Sequence, residues 1–180
     1  MEKRIGKNML LSAVFLLLAM CPAQAVFAAQ AGVLNMTRLL FVDNVIGLGQ
    51  YTPKQGERFA IGDLCTIYIE TTGFTLRPTK PDSEDEFDLD LAVDVVIMAA
   101  QGRITTASAK DFITHSTTVF SKLSATFLFF SFIFEEGWDP GNYLIEITLR
   151  DNLSGQSVTR EIAYRLEEPT EADRARQSSQ

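Results

Sequence analysis

Carboxylates crowd the middle of the sequence, where a proline-containing loop leads into a run of alternating residues. They are Asp82, Glu84, Asp85, Glu86, Asp88, Asp90 and Asp94. Calcium takes about six to eight oxygen ligands, but this spacing lacks the glycine at the sixth position of an EF-hand loop. Alternate positions on a strand lie about 7 Å apart, which spreads Asp88, Asp90 and Asp94 along one face. The spacing therefore favours a solvated strand face over a calcium site, with a catalytic carboxylate pair as a third alternative.

The single histidine, His115, stands in a run of serine and threonine. A hydrolase triad could use it, but the sequence contains no G-x-S-x-G elbow or other nucleophile motif. Gly47-Leu48-Gly49 lacks the third glycine and the following helix of a dinucleotide fingerprint. We therefore expect His115 to be an exposed or hydrogen-bonded loop residue. We assign no catalytic, cofactor-binding or metal-binding residue and no cofactor, and the binding residues stay unknown at this stage.

Two cysteines, Cys21 and Cys65, are too few for a disulfide-dense scaffold or a multi-cysteine zinc module. Cys65 alternates with Ile67 and Ile69, which predicts a thiol buried as a small apolar group. A reactive thiol or an intermolecular disulfide is the alternative. No cationic residue close in sequence is placed to favour the thiolate.

A run of aromatic and aliphatic residues from Phe127 to Phe134 is apolar on both faces of a strand. A sandwich strand normally buries only one face. One alternative is that residues 44–58 or the N-terminal segment cover the second face. The others are a protein interface and a groove for an apolar ligand, because exposed apolar patches usually mark contact sites.

Composition limits the class of protein before any motif is considered. The chain has 180 residues, of which 46% are hydrophobic and 22% are charged, which is ordinary for one globular domain. The formal net charge is -7. Nucleic acid is a polyanion, so an acidic chain is a poor candidate to bind it.

The first residues have the three-part layout of a secretory signal peptide. Lys3, Arg4 and Lys7 precede an apolar run, and Ala23-Gln24-Ala25 offers small residues to a signal peptidase. We expect cleavage after Ala25, with Ala28 or Ala29 as alternatives. The apolar run is too short for a membrane span, which needs about 20 residues, so we expect no span after processing.

A lipid anchor at Cys21 is the other reading of this segment. Leu18-Ala19-Met20-Cys21 is similar to a bacterial lipoprotein signal, but Met20 stands where such signals have a small residue. We therefore expect a periplasmic or secreted bacterial protein without that anchor. The expected divisions are a signal peptide (1–25), an N-terminal strand and loop (26–57), a sandwich core (58–167) and a flexible tail (168–180).

Strand signals recur along the rest of the chain, and helical periodicity is nearly absent. Turn-rich loops separate runs at 37–42, 64–71, 87–98, 103–108, 126–135, 143–150 and 158–166. Residues 110–121 are ambiguous between an edge strand and an irregular crossing. Seven or eight strands without intervening helices predict an all-β, antiparallel β-sandwich.

The segment from Trp138 to Tyr143 sharpens this prediction. An Asp139-Pro140-Gly141-Asn142 turn, then Tyr143, then an alternating strand resembles the tyrosine corner of immunoglobulin-like and fibronectin-like sandwiches. The resemblance covers about residues 58–166 and implies that the Tyr143 hydroxyl bonds to upstream backbone. Phe59, Gly62 and Asp63, followed by Tyr68 and Glu70, also resemble exported bacterial sandwich domains of uncharacterised function, a likeness that implies no activity.

These observations predict a non-catalytic exported domain that binds an unknown protein or cell-envelope component. The alternatives are a small exported hydrolase using the carboxylates, or a carrier of an apolar ligand. Carboxylates that converge in a pocket would favour the hydrolase. A deep apolar cleft would favour the carrier, and a flat apolar sheet face would favour the interaction domain. The oligomeric state is not predicted.

Overall fold

The computed structural model describes residues 32–135 and 137–171. The predicted signal peptide, its cleavage site, Cys21 and most of the predicted tail lie outside these residues. No helix in the described part of the chain is both long enough and apolar enough to span a membrane.

The described chain is almost entirely β-structure. Its strands are β1 (Asn35–Gly47), β2 (Gln50–Pro53), β3 (Arg58–Ala60), β4 (Leu64–Thr72), β5 (Arg77–Pro78), β6 (Phe87–Ala99), β7 (Ile104–Val119), β8 (Ala125–Ile133), β9 (Gly141–Asp151) and β10 (Ser157–Glu167). A 3-10 turn, Gln101–Arg103, joins β6 to β7. The described part of the chain contains ten strands, whereas the sequence predicts seven or eight. β2, β3 and β5 are too short to show alternation in sequence.

Two sheets face each other across one core. The first has the order β2-β1-β4-β8. The second has the order β3-β10-β9-β6-β5, and β7 also pairs with β6. Phe87 and Asp88 pair with both β5 and β7, so these two strands flank β6 on opposite sides. Neighbours are antiparallel except β3 and β10, which run parallel. The predicted all-β, sandwich-like architecture is present.

Alternation along the strands accounts for the core. Odd-numbered residues of β4, β6 and β9 point inward, where they are buried, and the aspartates of β6 point outward. The most buried of these inward residues are Cys65, Ile67, Ile69, Leu89, Leu91, Val93, Ile145, Ile147 and Leu149. Burying each such aliphatic side chain contributes about 1.5–3 kcal/mol, which makes this inner layer the main source of stability.

Tyr143 makes the hydrogen bond that its position predicts. Its hydroxyl donates to the backbone carbonyl of Asp139 at 2.7 Å, four residues upstream. The ring is buried between Trp138 and Tyr164, with centroids 5.7 and 5.3 Å away. The tyrosine thus ties the turn before β9 to the end of the core.

The structure differs from the sequence prediction most at residues 103–121. The predicted strand 103–108 and the ambiguous segment 110–121 form one continuous strand, β7. Its pairing with β6 shifts register between Val93 and Val95, where one residue of β6, Asp94, opposes three residues of β7, 110–112. This bulge interrupts the alternation that a sequence pattern could detect. His115 consequently lies on a strand and not in a loop.

Candidate functional site

The aromatic run forms β8, which pairs with β4 in regular antiparallel register. Tyr68 lies opposite Phe129, and Leu64 lies opposite Ile133. Leu128 and Phe130 point into the core and are buried. Phe129 and Ile133 point to the outer face of the first sheet. β8 therefore presents apolar side chains on both faces, as its sequence indicates.

A hairpin covers one half of the outer face. β1 and β2 curl over β4, so that Tyr51 packs on Tyr68 with ring centroids 4.5 Å apart. The Gly49 amide donates to the Tyr68 hydroxyl at 2.9 Å, and that hydroxyl donates to Glu70 at 2.9 Å. Phe127 stacks on the other side of Tyr68 at 5.7 Å. The predicted cover by residues 44–58 is real for this half.

The other half of the outer face is bare in the described structure. Phe129 is 51% exposed, Ile133 is 55% exposed and Leu64, beside Ile133 on β4, is 61% exposed. We call these three residues the outer patch. They lie on regular strands, whose backbone hydrogen bonds fix their directions, so their exposure is built into the sheet. The hydroxyls of Thr66 and Ser131, 2.8 Å apart, lie between Phe129 and the pair formed by Leu64 and Ile133. Exposed apolar side chains on one sheet face, with polar groups among them, are typical of contact surfaces.

A shallow apolar cleft opens on the opposite face of β8, between the two sheets. Its volume is about 190 Å³. β8 contributes Phe130 and Phe132, and β6 contributes Val95 and Ile97. The remaining lining residues, from β7 and the turn before β9, are Ala107, Ser108, Ala109, Phe112 and Trp138. The small alanines of β7 leave the space that larger residues would fill.

The bulge of β7 sets one wall of this cleft. Asp111 adopts a left-handed conformation with φ of 52°, which non-glycine residues rarely take. The bulge directs Phe112 toward β8, where its ring lies 5.2 Å from that of Phe130. Phe112 stays 42% exposed at the mouth of the cleft.

An ionic cluster on the outer face of the second sheet holds the bulge. Asp94 accepts a hydrogen bond from the Asp111 amide at 2.7 Å and two from the Arg150 guanidinium at 3.0 Å. Arg150 also contacts the Asp111 carboxylate. The hydrogen bonds from Arg150 lower the pKa of the Asp94 carboxyl and raise the pKa of the guanidinium. The cluster thus fixes the bulge and, through it, the direction of Phe112.

The other carboxylates of the acidic segment do not converge. The Asp88 carboxylate pairs with Arg77 at 3.2 Å, and the Asp90 carboxylate accepts a hydrogen bond from the side-chain amide of Asn152 at 2.9 Å. Asp88, Asp90 and Asp94 therefore each have a different partner along the outer face of β6. No group of three or more residues of the metal-binding types gathers within residues 32–135 and 137–171. This arrangement fits a solvated strand face better than a chelating cage.

Neither His115 nor Cys65 lines the cleft. His115, on β7, is exposed and lies opposite Leu91 of β6. Cys65 is fully buried opposite Phe132, and its burial raises the pKa of the thiol. A protonated, buried thiol is a poor nucleophile, so the prediction that Cys65 acts as a small apolar group agrees with its environment.

Sequence reasoning missed a buried carboxylate at the end of β9. Asp151 is 1% exposed and accepts hydrogen bonds from the Thr75 amide at 2.8 Å and the Ser154 hydroxyl at 2.7 Å. The Leu153 and Ser154 amides donate to its other oxygen. An aspartate before Asn-Leu-Ser-Gly is a turn signal that could have identified it. Both oxygens of the Asp151 carboxylate are thus hydrogen-bonded, and these bonds join the β9–β10 turn to the loop after β4.

The chain matches no protein-family model, and its comparison with curated proteins gives no match. Among solved structures it is similar to the alkylpurine DNA glycosylase AlkC of Pseudomonas fluorescens bound to DNA containing an abasic site analogue. The identity is 10% and the TM-score 0.43, over 76% of this chain and 31% of that one. This chain therefore spans less than a third of the glycosylase.

Two further structures are similar at the same level. The C-terminal domain of Wzt has 10% identity and a TM-score of 0.46, over 77% of this chain and 76% of that one. A family 123 glycoside hydrolase from Clostridium perfringens has 8% identity and a TM-score of 0.41, over 76% of this chain and 27% of the hydrolase. Likenesses this distant transfer no activity to this chain.

Proposed function

We propose that the chain is a non-catalytic exported domain of the immunoglobulin-like, fibronectin-like class that binds a protein or a component of the cell envelope. The N-terminal signal layout supports export to a bacterial periplasm or beyond. The strand order supports the class. If the long strands are lettered A, B, C, C′, E, F and G in chain order, A-B-E faces C′-C-F-G. Immunoglobulin-like sandwiches group their strands in this way.

The outer patch is the observation that carries the binding function. Its residues lie on one face of two paired strands, β4 and β8, and an exposed apolar sheet face is the geometry expected of an interaction surface. The apolar cleft holds about 190 Å³, less than the roughly 300–1,000 Å³ of typical small-molecule pockets. This size weighs against a carrier of an apolar ligand. The dispersed, paired carboxylates of β6 weigh against a hydrolase.

The test is capture of partners from the envelope extract of the native host with the purified protein. Phe129→Ser removes the aromatic side chain of the outer patch, at the end where Phe129 lies opposite Tyr68. Phe120→Ser is its matched control, because Phe120 is 75% exposed at the turn before β8 and lies outside the patch. We expect a partner retained by the wild type and by Phe120→Ser and lost with Phe129→Ser. Equal retention by both variants, or turnover of an envelope substrate, would contradict the proposal.

A further inference from the structure

β8 is an edge strand without the features that usually protect a sheet edge. Among the described residues it pairs with β4 along its whole length and with no strand on its other side. Its 9 residues, ATFLFFSFI, include no charge and no proline. Natural edge strands carry charges, prolines or bulges because their free backbone groups recruit other strands. The outer edge of β8 is therefore open to pairing.

The second sheet extends one strand further than the first on this side of the molecule. β1 faces β10, since the rings of Phe41 and Tyr164 are in contact with centroids 6.3 Å apart. Counted from that pair, β4 lies over β9 and β8 over β6. β7 then faces a position beside β8 that no strand of residues 32–135 and 137–171 occupies. The apolar cleft lies at this position.

We propose that the free edge of β8 accepts an extended segment of a partner protein as an additional strand. This inference rests on the proposed binding function and specifies the form of its partner. In such recognition, backbone hydrogen bonds supply affinity and alternate side chains enter pockets that give specificity. Side chains on the inner face of the added strand contact Ala109 and Phe112 in the cleft. Side chains on its outer face lie beside Phe129, so the side chains of one added strand flank β8 on both of its apolar faces.

Charges at the two ends of β8 indicate the sequence of the added segment. Lys122 precedes the strand and Glu135 follows it, and both are exposed. Lys122 lies over the ring of Phe87 at 5.6 Å, and neither residue forms an ion pair with another described residue. Opposite charges on neighbouring strands stabilise pairing. The complementary segment is uncharged and alternating, with an acidic residue near Lys122 and a basic residue near Glu135.

A second folded copy of this chain does not fit the same position. Pairing two β8 edges around a two-fold axis would also bring the two second sheets edge to edge. β7 extends past β8 and already occupies that space. A single extended segment needs only about 4.8 Å beside β8, so it fits above β7 without displacing it.

The experiment uses protein purified from its native host and a phage-displayed library of random twelve-residue peptides, followed by synthetic versions of the enriched sequences. We expect apolar residues at every second position, with opposite charges at the two ends. Amide hydrogen exchange should slow at least tenfold in β8 when peptide is bound, and stay unchanged in β2. Edge pairing is what protects backbone amides, so contact with the outer patch alone would not give this result.

Two lysine substitutions on β7 complete the test. Ala109→Lys places a charge in the cleft and should weaken peptide binding at least tenfold. Thr114→Lys adds the same charge to the outer face of the same strand and should change the affinity for the peptide less than twofold. Thermal unfolding checks that both variants are folded. Enrichment of no peptide, enrichment without alternation, or binding that leaves β8 amides unprotected would overturn strand addition. The capture experiment separates this result from a failure of the proposed function. If strand addition is overturned but Phe129→Ser still abolishes capture of the envelope partner, the proposed binding through the outer patch stands.

Discussion

Tyr143 and Tyr164 stack on each other, but only one of their two hydroxyl groups is hydrogen-bonded. The Tyr143 hydroxyl donates to the Asp139 carbonyl, whereas the buried Tyr164 hydroxyl has no hydrogen-bond partner among the described residues. Burial raises the pKa of both hydroxyls, so both stay protonated in the physiological range. Replacing either tyrosine with phenylalanine removes one oxygen and keeps the ring. The two variants are therefore matched, and we expect only Tyr143→Phe to destabilise the protein.

The magnitude follows from what each hydroxyl leaves behind. Losing the partner of a buried polar group costs about 1–3 kcal/mol. Asp139 is exposed, so water can reach its carbonyl, and we expect Tyr143→Phe to cost about 1 kcal/mol. For a domain of this size that lowers Tm by roughly 2–4 °C. Tyr164→Phe removes a polar atom that is already unpaired, so it should leave stability unchanged or raise it by up to about 1 kcal/mol.

Urea and thermal unfolding, followed by circular dichroism, measure both variants against the wild type. The reasoning is refuted if Tyr143→Phe is at least as stable as the wild type, or if Tyr164→Phe is the more destabilised of the two. A Tyr143→Phe variant that keeps its stability but no longer binds the captured partner would make Tyr143 a contact residue. The immunoglobulin-like proposal would then lose its local support.

Three further predictions concern the charged and thiol groups. The pKa of Asp94 is lowered in the folded state, so its stabilisation is present above the unfolded pKa of about 4 and is lost as pH falls through the folded value. Asp94→Asn should therefore flatten the acid limb of a plot of unfolding free energy against pH. Millimolar calcium should raise Tm no more than magnesium at equal ionic strength, because Asp88, Asp90 and Asp94 have separate partners; a calcium-specific rise would show a site. Cys65 should react with a thiol reagent only as fast as the protein unfolds, and rapid labelling of native protein would contradict its burial.

The core strands were predictable because one physical pattern determines them. Burial on one face and solvent on the other imposes a period of two, which β4, β6 and β9 follow closely. Cys65, Ile67 and Ile69 could be placed inward from this pattern alone. Tyr143 was predictable for a different reason, since its turn and its distance from the strand form a local motif.

Cover by residues 44–58 was one of the alternatives, but which half of the outer face it protects was not predictable, because that depends on contacts distant in sequence. The run from Phe127 shows two apolar faces, and nothing within it tells which half of the outer face is covered. That depends on how β1 and β2 curl, which the bond between Gly49 and Tyr68 holds in place. A local pattern gives the chemistry of each face but not what packs on it.

The bulge in β7 shows why the cleft itself escaped sequence reasoning. β7 is an edge strand exposed over most of both faces, so no burial pattern marks it, and residues around 110 read as irregular. Its conformation is instead determined by Asp94 on β6 and Arg150 on β9, which bond to the Asp111 amide and carboxylate from neighbouring strands. Those two residues are 56 positions apart. The direction of Phe112, and with it the wall of the cleft, is thus fixed by charges that only the folded sheet brings together.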